Sequence, residues 1–200
     1  MNNVSESIQW AQWTWNPVTG CKRNCSYCYA HKIHKRFYKT PFSDIVLHPE
    51  RLYDKMPKEP SKIFVGSMSD CAYWTVDMWD KIIPICRNNP QHTFMFLSKC
   101  PTAYDGIIFP KNCMQGLTLT LEGKSKYSEY LKFTLYNRPF LSIEPLLGCL
   151  DFEPKTIEIV IVGAMTGNGA IKPKKEWIES IKDNVYDKLI YWKKNIKEYL

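Results

Sequence analysis

The chain has 200 residues, 44% of them hydrophobic, with a formal net charge of +7 and a pI near 8.9. This length suits one domain, residues 1–200, able to bury a core without disulfide staples. The polar start Met1–Ser7 and the lack of an apolar run of spanning length argue against a signal peptide or membrane insertion, so the eight cysteines read as reduced thiols of a cytoplasmic protein rather than a disulfide scaffold. The basic balance admits a nucleic-acid partner, because Lys and Arg neutralise phosphates and release counterions. A solvated basic face accounts for it equally well.

Residues 8–19 read as a lead-in and first strand, with Trp10, Trp13 and Trp15 too bulky to be exposed together. Pro17 and Gly20 break the strand and deliver the chain to Cys21. A helix over Tyr29–Tyr38 follows, with Ala30, Ile33 and Phe37 recurring at helical spacing. A short helix is expected over Pro49–Met56, and a buried second strand over Lys62–Gly66 ends in Ser67-Met68-Ser69-Asp70. Trp74–Arg87 is an amphipathic helix with Trp79, Ile82, Ile83 and Cys86 on one side; Asp70 is a candidate for its N-cap. Strands are then expected over Thr93–Ser98, Met114–Leu121, Pro139–Ile143 and Ile157–Val162, with helices over Ser125–Tyr136 and Lys174–Val185. Leu189–Trp192 closes the chain as strand or helix. Short apolar runs alternating with helices indicate a parallel sheet with crossover helices. About six strands are too few for an eight-stranded barrel of roughly 250 residues, so the expected fold is a single-domain α/β partial, open β/α barrel. The scattered Cys71, Cys86, Cys100, Cys113 and Cys149 read as packing residues.

The chemistry concentrates in Cys21-Lys22-Arg23-Asn24-Cys25-Ser26-Tyr27-Cys28. Three thiols on one short loop can close around a soft metal, zinc or an iron–sulfur cluster. A four-iron cluster held by three cysteines keeps one iron open to a small molecule, and Tyr27 is an aromatic that can lie against a planar ligand beside it. With His31 or His34 the same thiols make a Cys₃His zinc set, which leaves a zinc-stabilised nucleic-acid-binding module, or a non-catalytic iron–sulfur protein, as rival readings. His48 and His92 have no partner legible in the sequence.

The C-x-x-x-C-x-x-C spacing, with an aromatic before the last cysteine, resembles the cluster loop of the radical S-adenosylmethionine superfamily. The wider run Trp13–Ala30, together with Phe64–Asp70, Leu97–Pro101, Ser142–Gly148 and Val160–Gly163, is most similar to a short phage-associated radical-SAM-like family of uncharacterised function. The core Gly-Cys-x-x-x-Cys-x-Tyr-Cys-Tyr also resembles spore photoproduct lyase. The family pattern carries Arg where this chain has Cys100, and Glu and Arg where it has Met165 and Ile171-Lys172.

The resemblance implies an open six-stranded barrel in which Cys21, Cys25 and Cys28 hold a [4Fe-4S] cluster. S-adenosylmethionine would chelate the open iron and be cleaved reductively, giving a 5′-deoxyadenosyl radical that abstracts hydrogen from a substrate. Around the cofactor it implies Ser67, Ser69 and Asp70 at the methionine amino group or ribose, Ser142 and Glu144 at ribose or adenine, Gly163 and its loop against adenine, and Lys99 at a carboxylate or substrate phosphate. It further implies a reductant such as a flavodoxin or ferredoxin, a nucleic acid or nucleotide as substrate, and a protein partner covering the open side of the barrel.

Overall fold

The apolar runs of the first half become short strands whose buried residues are consecutive, as expected where both faces of a parallel sheet are covered. The computed structural model describes residues 1–122, 127–133, 138–157 and 159–200. Its fold is mixed α/β with mostly parallel strands, and the chain divides into two units, Met1–Ser98 with Ala103–Met114, and Lys99–Thr102 with Gln115–Leu200. Among the described residues no helix is long and apolar enough to cross a membrane.

In the first unit β1 (Asn2–Asn3) runs antiparallel to β2 (Trp13–Trp15), and β3 (Val18–Thr19) forms a separate antiparallel pair with β4 (Val46–Leu47). Strand β5 (Lys62–Val65) lies parallel between β2 and β6 (Thr93–Ser98), with Trp15 opposite Val65 and Val65 opposite Phe96. Ile63, Phe94, Phe96 and Trp15 are fully buried, each worth on the order of 1.5–3 kcal/mol for an aliphatic or Phe side chain removed from water. Helix α1 (Tyr29–Phe37) follows the cysteine loop, and α2 (Val76–Arg87) buries the expected Trp79, Ile82, Ile83 and Cys86. Thr75, not Asp70, caps α2 by accepting the Met78 N–H. Asp70 caps the single 3₁₀ turn Cys71–Tyr73 that precedes it. The helix expected over Pro49–Met56 is a 3₁₀ turn, Pro49–Tyr53.

Helix α1 corrects one expectation. Its buried residues are Ala30 and His34, because the His34 ring stacks on Tyr38 and its Nε2 engages the Thr40 carbonyl at 2.9 Å. With that seam toward the core, Ile33 and Phe37 are exposed, by 38% and 75%.

In the second unit, β7 (Cys113–Thr118, from Gln115 onward), β8 (Pro139–Ile143), β9 (Ile159–Val162) and β10 (Leu189–Trp192) pair in parallel in that order. The closing segment is therefore a strand. Helices α3 (Tyr127–Phe133) and α4 (Lys175–Asn184) fall inside their expected spans; residues 125–126 and 134–136 of the expected α3 span, and 158 of the sixth strand, lie outside the described residues. All eight cysteines are free thiols, and Cys71, Cys86 and Cys113 are buried as packing residues should be. Cys149 is exposed and is not a packing residue.

Both histidines without a legible partner have one. His48 meets Thr19 Oγ1 at 2.8 Å and Glu50 at 3.3 Å. Buried His92 accepts the Ser61 N–H at Nδ1, 3.2 Å, and burial holds its pKa below the usual value, partly offset by a backbone hydrogen bond to Pro57. A histidine whose pKa falls on folding contributes stability above the unfolded-state pKa, and that contribution is lost as pH falls through the folded-state pKa. The urea midpoint is therefore expected to drop as pH is lowered from about 7.5 to about 5.5, and His92→Gln should flatten that drop while lowering the midpoint at the higher pH.

Candidate functional site

The carboxyl ends of β2, β5 and β6 bring together Asn16, the Gly66–Asp70 turn and Ser98, at the end of a parallel sheet where α/β proteins place ligands. The cysteine loop leaves from this edge. Gly20 forms a parallel bridge to Ser69: its N–H donates to the Met68 carbonyl at 3.0 Å, and its own carbonyl accepts the Ser69 hydroxyl at 2.7 Å. The Trp74 indole N–H donates to the same Ser69 Oγ at 2.9 Å. Asn16 Oδ1 accepts from the Ser67 hydroxyl at 3.0 Å and from the Met68 N–H at 3.2 Å, and the Tyr29 hydroxyl donates to the Ser67 carbonyl at 2.6 Å. The loop is thus fastened just before its first cysteine, at Gly20, and again just past its third, at Tyr29.

Cys21, Cys25 and Cys28 are each half-buried, as is Tyr27. Cys21 Sγ accepts the Arg23 N–H, and Cys28 Sγ caps α1 by accepting the His31 N–H, each at 3.4 Å. Burial pushes the Cys21 thiol pKa up; the Arg23 N–H partly offsets this, and the negative charges of Asp70, Cys28 and Cys25 add to the rise. Thiols are soft donors, so the chemistry of this set, though not its present geometry, suits a soft-metal centre. Among the described residues no three Cys, His, Asp or Glu side chains are drawn into a metal-holding group. A Cys₃His set would also have to free an imidazole: His31 stacks on Phe42 with ring centroids 5.3 Å apart, and His34 is buried on Thr40.

Ser67, Ser69 and Asp70 all sit at this edge with protein partners. Buried Asp70 accepts the Ser98 hydroxyl at 2.5 Å and the Ala72 N–H at 3.1 Å through Oδ1, and its Oδ2 stands 3.7 Å from Arg23 Nε inside the cysteine loop. Asp70→Ala would strand the Ser98 and Ala72 donors. About 2–4 kcal/mol of lost stability is expected, from about 1–3 kcal/mol per stranded buried donor, read as a lower urea midpoint, whereas Asp70→Asn keeps an acceptor oxygen and should lose well under half of that.

The second unit carries its own polar group at strand ends. The Ser142 hydroxyl donates to Glu144 Oε2 at 3.0 Å, and Lys193, immediately after β10, places Nζ 2.7 Å from Glu144 Oε1. Gly163, just past β9, is packed against this pair: a Cβ there would stand 2.7 Å from Glu144 Oε1 and 3.1 Å from Lys193 Cδ. Lys99 is half-buried and follows β6 in sequence.

The family model described as "Protein of unknown function (DUF5131)" matches residues 5–198. The chain belongs to the DUF5131 family. No curated protein and no solved structure matches it.

In this DUF5131 chain, Asn16, Arg23 and Lys193 belong to the candidate site's contacts without having been legible in the sequence. Asn16 directly follows Trp15, and its placement at the end of a strand was the available signal, since side chains there face the ligand edge of a parallel sheet. Arg23 lies inside the loop and reads as part of a generic basic run. Lys193 lies in a lysine-rich tail, where one ion-paired lysine cannot be told from its exposed neighbours by composition.

Proposed function

We propose that this chain is a radical S-adenosylmethionine enzyme built on an open β/α barrel, with Cys21, Cys25 and Cys28 as the ligands of a [4Fe-4S] cluster. The observation that carries the reading is the loop itself: three half-buried thiols on one segment, with Gly20 anchored to the ligand edge of a parallel sheet. When bound, the cluster would supply the electron that breaks the carbon–sulfur bond of S-adenosylmethionine, releasing methionine and a 5′-deoxyadenosyl radical that takes hydrogen from a substrate. The chain's own residues position and shield. Asp70 and Arg23 hold the loop against the sheet edge, Tyr27 offers a planar face beside the third cysteine, and Tyr29 ties the start of α1 to the Ser67 turn. Ser142, Glu144 and Gly163 are the second unit's candidates for contacts to ribose or adenine, and Lys99 for an anionic group. A small acidic reductant such as a flavodoxin or ferredoxin would deliver the electron. A nucleic acid or nucleotide is the favoured substrate class, on the net charge of +7.

The test is anaerobic reconstitution with iron and sulfide, followed by S-adenosylmethionine and dithionite, with 5′-deoxyadenosine as the readout. Product is expected from the natural chain and should be lost from Cys25→Ala. Stoichiometric zinc with neither cluster absorbance nor 5′-deoxyadenosine would overturn the proposal in favour of a zinc-stabilised binding protein.

A further inference from the structure

Helix α1 buries only Ala30 and His34, and leaves Tyr29, Ile33 and Phe37 exposed. These three are four residues apart, so they form one row along the helix, about 12 Å long at 1.5 Å per residue. Lys32 and Arg36, three residues on from Tyr29 and Ile33, form a second exposed row beside the first, with Lys35 further round the helix. From Ser7 to Ser43 the sequence has no Asp or Glu, while Lys22, Lys32, Lys35, Arg36 and Lys39 fall within it, besides Arg23, which faces Asp70. An amphipathic helix normally turns its apolar row inward and its cations outward. Here the seam made by His34 turns both rows to solvent.

We propose that this face of α1 binds single-stranded nucleic acid, with phosphates against Lys32 and Arg36 and bases against the Tyr29 and Phe37 rings. The two ligand chemistries match the two rows. Cations track a phosphate backbone, and aromatic faces accept any base by stacking, so the surface needs no sequence readout. An acidic protein would answer the cations but gives no particular reason for ring faces spaced along them. The inference rests on the helix face and not on cluster chemistry, so the metal-free chain carries the surface.

The experiment is fluorescence anisotropy of the full chain with a labelled oligothymidylate, repeated over a salt series. Binding tighter than about 10⁻⁴ M, weakening linearly in log–log form with salt, is expected. Phe37→Ala should weaken it roughly tenfold, within the 1–3 kcal/mol range of one base stacked on one ring, while Phe37→Trp retains it. Lys32→Glu with Arg36→Glu should lower affinity further and flatten the salt slope. All these positions are exposed, so an unchanged urea midpoint controls for folding. No binding, binding untouched by these variants, or polyglutamate bound as tightly and insensitively to Phe37→Ala would each overturn the proposal, the last identifying an acidic protein as the occupant.

Discussion

Gly20→Ala is expected to be among the most damaging single substitutions in this chain, lowering stability by about 3–5 kcal/mol, and to take the cysteine loop with it. Two costs add. Gly20 has φ +97°, a region that side-chain-bearing residues avoid, worth about 1–3 kcal/mol. A Cβ there would also stand 1.9 Å from the Asp44 carbonyl oxygen and 2.8 Å from its carbon, and backbone cannot swing aside as a side chain can; overpacking of this kind costs about 1–3 kcal/mol or more. Gly106 separates the two terms, because its φ is +77° but a Cβ there meets nothing within 4 Å. Gly106→Ala should therefore show the strain alone, about 1–2 kcal/mol. Urea unfolding of both variants makes the comparison, and equal losses would mean that the Asp44 backbone yields at little cost. Since the Gly20 peptide is clamped between Met68 and Ser69, relaxation at Gly20 would shift Cys21, and under the proposed cluster reading reconstituted iron per chain should fall together with the midpoint.

The parallel strands and α2 were legible because their signals are local. Consecutive apolar residues bounded by polar or glycine-containing turns fix Thr93–Ser98 and Pro139–Ile143 to the residue, and Trp79, Ile82, Ile83 and Cys86 lie on one face by spacing alone. Helix α1 shows where that logic stops. Its extent was readable, but Ala30–Ile33–Phe37 and Ala30–His34 are both helical spacings. The choice between them depends on Thr40, Tyr38 and Phe42 meeting the His34 ring, and Phe42 comes from beyond the helix. The cysteine loop stood out because three thiols fall within eight residues, and it leaves the sheet edge where the Trp13–Trp15 strand ends. Its fastening was not legible: the Asn16–Ser67 and Asp70–Ser98 bonds join segments separated by 51 and 28 residues. Ser67, Ser69 and Asp70 were picked out as polar groups at a strand end. Their location is right, but nothing in the sequence tells a group bonded to its own protein from one awaiting a ligand.

Glu144 poses the same question in the second unit, and there a double-mutant cycle can answer it. Glu144 and Lys193 retain only 21% and 17% side-chain exposure while their charged atoms stand 2.7 Å apart. Fully buried pairs cost about 3–5 kcal/mol when one partner is removed, and exposed ones are worth about 0–1 kcal/mol. This pair lies between those limits, so Lys193→Met, which leaves the carboxylate the Ser142 hydroxyl as a hydrogen-bond donor, should cost about 2–3 kcal/mol. Glu144→Gln should cost somewhat less, because the amide oxygen still accepts from Ser142, and the two changes together should fall short of additivity by about 1–2 kcal/mol. Solvent exclusion should preserve that coupling at high salt, whereas the exposed Lys81–Asp77 pair, 46% and 68% accessible, should lose its small contribution. Gly163→Ala should act through the same contact, since its Cβ would intrude on the carboxylate, and should therefore be non-additive with Lys193→Met. If instead all three variants keep the urea midpoint of the natural chain and lose affinity for S-adenosylmethionine, Glu144 is held by Lys193 for the ligand's benefit rather than the fold's. The two results are mutually exclusive in sign, because an ion pair that stabilises the folded chain cannot be removed without lowering its midpoint.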